Sequence, residues 1–192
     1  MKIYDISQEV FGCEVFPGDP APKREVISDM SNGAAYNLTA FSMCAHNGTH
    51  VDAPRHFCKD GKTLSDMPLD SFIGNALVYA HAGDVTAADA EDILRKAADC
   101  KHILIKGKAT VTLEAAQVFA GSGIRLLGNE SQTVGPENAP MAVHLTLLRK
   151  EIVLLEGIRL SDVPEGTYLL NAAPIHLGGC EGAPCRAVLI EL

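Results

Sequence analysis

Three of the seven histidines and an aspartate fall within eleven positions, His46-Asn47-Gly48-Thr49-His50-Val51-Asp52-Ala53-Pro54-Arg55-His56. Imidazole and carboxylate together are the usual donor set for a divalent transition metal. Metal binding is therefore the chemistry this set would serve. A lone histidine is more often a surface or core side chain than a ligand; the density of the stretch is what argues for metal. His46 and His50 stand four apart, which would align them on a helix, but Asn47, Gly48 and Thr49 are poor helix formers. His50 and Asp52 stand two apart and share a face if the chain is extended. No single regular element aims His46, His50, Asp52 and His56 at one point. A shaped loop is required, and Gly48 and Pro54 are the residues that would fix it.

Around this stretch the first seventy residues read as strands and loops. Strands are expected over Lys2–Ser7 and Lys23–Ser28, and Tyr36–Met43 alternates like a half-buried strand. Phe16-Pro17-Gly18-Asp19-Pro20 is a turn cluster with a fixed backbone. From Asn75 onward strand and helix patterns alternate. Strand Ala76–Ala80 precedes helix Asp89–Ala98, with Thr86 as N-cap. Strand His102–Ile105, helix Leu113–Ala120 and strand Ile124–Leu127 follow. Helix Ala139–Lys150 then leads into strand Ile152–Leu155, and strands return at Tyr168–Asn171 and Ala187–Leu192. This grammar implies right-handed βαβ units on a mostly parallel sheet. With no repeat or linker, the expectation is one α/β domain over residues 1–192, its β-rich N-terminal portion packed against the βαβ portion.

Composition excludes several classes. A chain of 192 residues can bury one sizeable core. Its 47% hydrophobic and 21% charged residues are ordinary for a globular protein. A net charge of -8 speaks against a nucleic-acid footprint. No run approaches the ~18 apolar residues of a bilayer span. The N-terminus turns polar too early for a signal peptide. Six cysteines are scattered without a CxxC pair, as expected of reduced thiols in the cytoplasm. Cys180 and Cys185 flank Glu-Gly-Ala-Pro, and a redox role for them lacks the CxxC logic.

His46-x-Gly48-Thr49-His50-x-Asp52-x-Pro54-x-His56-Phe57 resembles the signature of the cyclase family of metal-dependent hydrolases. That family includes bacterial kynurenine formamidase and isatin hydrolase. Pro17-Gly18-Asp19-Pro20 is similar to its PGD turn, Thr86-Ala87-Ala88-Asp89 to a helix start, and Gly182-Ala183-Pro184-Cys185-Arg186-Ala187 to its C-terminal GAP-x-R segment. The resemblance covers most of the chain. It implies a swivelling β/β/α-type domain with a mixed sheet, assembled as a homodimer or homotetramer.

By the same resemblance His46, His50, Asp52, His144 and Glu156 bind one or two divalent ions, zinc or manganese, with Asp52 and Glu156 as candidate bridges. Read without the family, His144 is a helix-face residue near Leu147 and Leu148, and Glu156 a solvated strand end. The expected helix and strand are nonetheless consecutive, and the first turn of such a helix lies near the C-terminal end of its strand. The resemblance also gives His56 the proton donor and acceptor role. The implied reaction is cleavage of a formamide or cyclic amide in a small-molecule substrate, like an arylformamidase. A lactone or ester hydrolase of the same family, or a non-catalytic metal- or ligand-binding member, is the alternative.

Substrate features depart from the family pattern. The chain has no Trp. Kynurenine formamidases place an aromatic, often Trp, before the PGD turn; Phe16 stands there and can stack on an aryl substrate without offering an N–H donor. Gly128-Asn129-Glu130-Ser131-Gln132-Thr133-Val134 replaces a GID-x-x-SVD-like stretch, so Glu130 and Gln132 are expected to alter the pocket lining. The connection from Lys106 to Leu113 reads as short.

Overall fold

Ile103, Leu104 and Ile105 are consecutive and fully buried, yet they serve two different cores. Ile103 and Ile105 pack with the helical residues Ala90, Ile93, Ala115, Phe119 and Leu147. Leu104 instead joins Phe72, Leu170 and Leu189. Side chains alternate across a strand, so a strand buried on both faces must be apolar at every position. A sheet with helices on one face and a second apolar layer on the other satisfies this pattern.

The computed structural model describes residues 1–191. Its first strands are β1 (Lys2–Asp5), β2 (Lys23–Ser28), β3 (Leu38–Ser42) and β4 (His50–Asp52). Then come β5 (Ile73–Ala80), β6 (Gly83–Val85), α1 (Ala87–Ala97), β7 (His102–Lys106), β8 (Ala109–Val111) and α2 (Leu113–Gly121). The chain continues with β9 (Leu126–Asn129), α3 (Met141–Leu148) and β10 (Val153–Glu156). It closes with β11 (Gly166–Asn171), β12 (Gly182–Pro184) and β13 (Val188–Glu191). Leu192, the last position of the expected strand Ala187–Leu192, lies outside the described residues.

Nine strands form one mixed sheet in the order β1-β13-β11-β5-β7-β9-β10-β4-β12. The strands β5, β7, β9 and β10 run parallel, as the βαβ grammar requires. Antiparallel strands flank them on both sides, so the sheet is mixed rather than mostly parallel. The N-terminal strands do not form a separate packed portion. β1 and β4 join the same sheet on opposite sides, while β2 and β3 pair with each other outside it. Tyr36–Met43 is also not half-buried: β3 is exposed at every position, with Phe41 58% accessible. Its alternation does not report a buried face.

Helix boundaries follow local chemistry. Thr86 caps α1 through a capping box, accepting from the Asp89 N–H while the Asp89 carboxylate accepts from the Thr86 N–H. The expected helix Ala139–Lys150 is shorter. Pro140 sits at the N-cap of α3, its carbonyl accepting the first helical bond from His144 at 3.1 Å. The helix ends at Leu148 with Arg149 as C-cap, and the turn that follows passes through Glu151, whose φ is 59°. The connection from Lys106 to Leu113 holds β8, paired in parallel with β6. No helix of the described residues is long and apolar enough to cross a membrane.

Candidate metal centre

The register of two strands assembles the heart of the site. β4 lies antiparallel to β10 with His50 opposite Glu156 and Asp52 opposite Leu154. Val51 points into the apolar layer with Val153 and Leu155. His50 and Asp52 therefore face the other way, toward the helices, together with Leu154 and Glu156. The i, i+2 spacing of His50 and Asp52 does put them on one strand face. His50 Nε2 lies 3.5 Å from Asp52 Oδ1 and 3.5 Å from Glu156 Oε2.

His46 reaches the same point from the loop before β4. Gly48 turns that loop with a φ of 64°, and a Cβ there would lie 3.0 Å from the Cys13 Cβ. Thr49 fixes the next residue: its hydroxyl donates to the Gly157 carbonyl at 2.7 Å and accepts from the Gln8 N–H at 2.9 Å. This ties the start of β4 to the end of β10. His46 Nδ1 lies 2.8 Å from Asp52 Oδ1. Its ring stacks on His56, with centroids 4.1 Å apart.

α3 brings the last nitrogen donor. His144 Nε2 lies 3.2 Å from Glu156 Oε1 and 3.8 Å from Asp52 Oδ2. The Val134 N–H donates to Glu156 Oε1 at 2.8 Å and holds the carboxylate. His50 Nδ1 faces the Gly48 carbonyl at 3.0 Å, and His144 Nδ1 faces the Pro140 carbonyl at 3.0 Å. Those acceptors place the proton on Nδ1 and leave both Nε2 lone pairs turned to the carboxylates.

Two donor groups result, His46/His50/Asp52 and Asp52/His144/Glu156, each with its ligand atoms within 4.8 Å of one another. Asp52 belongs to both. Its Oδ2 is buried without a hydrogen-bond partner, as is His46 Nε2. Unsatisfied buried polar atoms of this kind are costly, and a cation beside Oδ2 would remove that cost. The imidazole and carboxylate donors fit a divalent transition metal.

Electrostatics match. Desolvation disfavours charge on every buried group here. For Asp52 the hydrogen bond from His46 and the nearby imidazoles outweigh it, and the carboxyl stays below its usual range. Burial and Asp52 push Glu156 up, but the His144 and His50 imidazoles beside it prevail and lower it. Burial opposes charge on His46, yet Asp52 and Glu181 raise it to about 9. His50 and His144 also go up against burial, through Glu156 and Asp52. His56 goes the other way: burial lowers it, His46 and His144 add to that, and Asp52 does not compensate. The shift favours its neutral imidazole.

His56 sits at the end of the turn Pro54–His56, with Nε2 3.9 Å from Asp52 Oδ2, beyond hydrogen-bond distance. It lines a cleft of about 210 Å³ together with Phe16, Phe57, Gln132, Pro140 and His144. All seven residues singled out in the sequence, His46, His50, Asp52, His56, His144, Glu156 and Phe16, thus converge here. Gln132 lines the cleft as expected, but Glu130 does not. The Glu130 carboxylate accepts from the N–H groups of Gly107 at 2.5 Å and Leu160 at 2.8 Å, away from the site. Thr133 and Pro140 also line the cleft. Both arrive on the loop between β9 and α3, where no periodicity signals a role.

The comparisons with known proteins point the same way. A kynurenine formamidase from Erythrobacter litoralis is 33% identical over 100% of this chain and 94% of its own length. A solved structure described as a potential metal-dependent hydrolase with cyclase activity superposes with a TM-score of 0.83 at 28% identity, covering 98% of this chain and 96% of the other. Isatin hydrolase A from Labrenzia aggregata shares the fold, with a TM-score of 0.85 at 20% identity over 98% of this chain and 93% of its own. The family model described as "Putative cyclase" matches residues 4–136, which include β4 and the whole histidine stretch. With that match and a relative this similar over its full length, the chain belongs to the cyclase family.

Proposed function

We infer that this protein is a metal-dependent amide hydrolase of the arylformamidase type, acting on a small aryl formamide or cyclic amide. The observation that carries the reading is the division of labour around Asp52. Its two oxygens face two histidine groups, while His56 borders the same cleft outside hydrogen-bond reach of any of these carboxylates. In this reading His46, His50 and Asp52 hold one ion, and Asp52, His144 and Glu156 hold a second. Zinc and manganese both suit the imidazole and carboxylate donors. A divalent ion held there supplies an activated water and polarises the scissile carbonyl.

The chain's own residues do the rest. His56 takes a proton from the attacking water as the water oxygen bonds the carbonyl carbon, and returns that proton to the amine nitrogen as the C–N bond breaks. A neutral amine then leaves instead of an amide anion. Phe16 and Phe57 offer aromatic faces for an aryl group, and Gln132 and Thr133 offer polar edges. The family match and the formamidase relatives favour an amide over a lactone or ester. A cytoplasmic location and assembly as a homodimer or homotetramer are part of the proposal.

Two substitutions test it through different signatures. Asp52→Ala is expected to lose bound metal and turnover together. His56→Ala is expected to keep the metal and lose turnover by about 10²–10⁴-fold, the range of general acid–base catalysis. Metal analysis of each variant beside formanilide hydrolysis reads both. A His56→Ala protein that comes up empty of metal would make His56 a ligand and sink the assignment.

A further inference from the structure

Each ligand histidine but one has its outer nitrogen engaged. His50 and His144 turn Nδ1 to backbone carbonyls at 3.0 Å, which leaves Nε2 for the metal. His46 enters the site the other way round, with Nδ1 toward Asp52 Oδ1 and Nε2 pointing out. No backbone carbonyl stands behind it, and Nε2 is buried without a hydrogen-bond partner. The group that faces it is the Glu181 carboxylate, with Oε1 at 3.5 Å. Metal-bound histidines almost always donate their outer N–H to a carboxylate or carbonyl, which fixes the tautomer and strengthens the ligand.

The backbone holds Glu181 in place for this. Its carbonyl accepts from the Ala53 N–H at 2.8 Å, next to Asp52. Gly182 follows, opposite Asp52 in the β4–β12 ladder. A Cβ on Gly182 would lie 2.6 Å from His46 Cε1, so the imidazole packs directly on the backbone beside Glu181. The Glu181 side chain is 42% exposed and free to rotate the short distance that closes the contact.

We propose that Glu181 is the positioning residue for His46: its carboxylate accepts the Nε2–H and commits Nδ1 to the metal. This rests on the metal-site reading above. Among the donor side chains Glu181 faces His46, a member of the His46/His50/Asp52 group alone, so its effect should fall first on that group. His144 and Glu156 lie beyond its contacts.

The test is a Co²⁺ titration of metal-free full-length protein, followed by the visible absorption of the bound ion. Glu181→Ala is expected to weaken one binding step by about 10–100-fold, the usual cost of losing such a partner. The weakened step should be the one that His46→Ala abolishes. Glu181→Gln, which keeps an acceptor oxygen without the charge, should recover part of the loss. The melting temperature of the metal-free protein should be unchanged. Wild-type affinity in Glu181→Ala, or a loss confined to a different step from that of His46→Ala, would overturn the role. A lowered metal-free melting temperature with all steps weakened would mark Glu181 as structural and overturn it too. A wild-type protein that binds no Co²⁺ would instead overturn the metal site itself.

Discussion

At the scale of single residues, the cysteines separate the hydrolytic reading from a redox one. Thiol chemistry needs a thiolate. Burial pushes the Cys185 thiol up to about 12, so it stays protonated at physiological pH. The sign for stability follows from linkage. Below an unfolded thiol pKa of about 8.5 both states are neutral and nothing is lost. As pH rises toward 12 the unfolded thiol ionises while the folded one does not, and stability falls across that window. Iodoacetamide at pH 8 should therefore leave Cys185 unmodified in the native protein while hydrolysis continues. Selective alkylation of Cys185 with loss of activity would restore the redox reading. Much of the site is legible at this scale. The i, i+2 pair His50 and Asp52 announces a shared strand face, and Gly48 announces the turn. His144 and Glu156 are not legible by spacing, because α3 meets the motif through packing and β10 through pairing with a strand about a hundred residues away. Glu181 carries no local signal either, since its role depends on β12 lying beside β4.

At the scale of elements, two threonines with similar capping or bridging chemistry have different consequences. Thr86 caps α1, which packs against α2 and β5. Thr86→Ala should cost about 1 kcal/mol in stability and leave turnover unchanged. Thr49 bridges Gln8 and Gly157 at the point where β4 meets β10. Thr49→Val keeps the shape but leaves the Gln8 N–H without its acceptor, at about 1–3 kcal/mol, while the Gly157 carbonyl keeps the bond from Gln8 Nε2. It should lower metal affinity as well, because it releases the strand ends that carry His50 and Glu156. Denaturant melts beside metal titrations compare them; equal metal affinity in both variants would remove the bridge from the account. Strongly periodic elements such as α1, α2 and β7 are readable within a few residues. The short strands β6, β8 and β12 are not, because three residues carry too little pattern and their pairing comes from distant partners.

At the scale of the whole molecule, β2 and β3 stand out as a two-stranded ladder outside the main sheet. Val26 and Ile27 are each 54% exposed, and Phe41 58%. An isolated hairpin is marginally stable in water, and clustered exposed apolar side chains mark interaction surfaces. In the proposed homo-oligomer a second copy covers this ladder. Light scattering should report at least twice the monomer mass, and Phe41→Asp should shift it toward the monomer. A monomeric wild-type chain at micromolar concentration would contradict the assembly. The mixed α/β class is readable from the alternation after Asn75. The antiparallel flanks are not, because strand order is set by contacts between chain ends that no local window spans.

The central claim is that one buried donor cluster around Asp52 makes this protein an amide hydrolase. Turnover of formanilide and N-formylkynurenine by chelator-stripped protein, followed as Zn²⁺ or Mn²⁺ is added back, tests it most directly. No activity is expected without metal, with recovery that saturates at one or two equivalents. Undiminished hydrolysis by fully stripped protein, or none at any metal loading across amides, isatin and lactones, would contradict it.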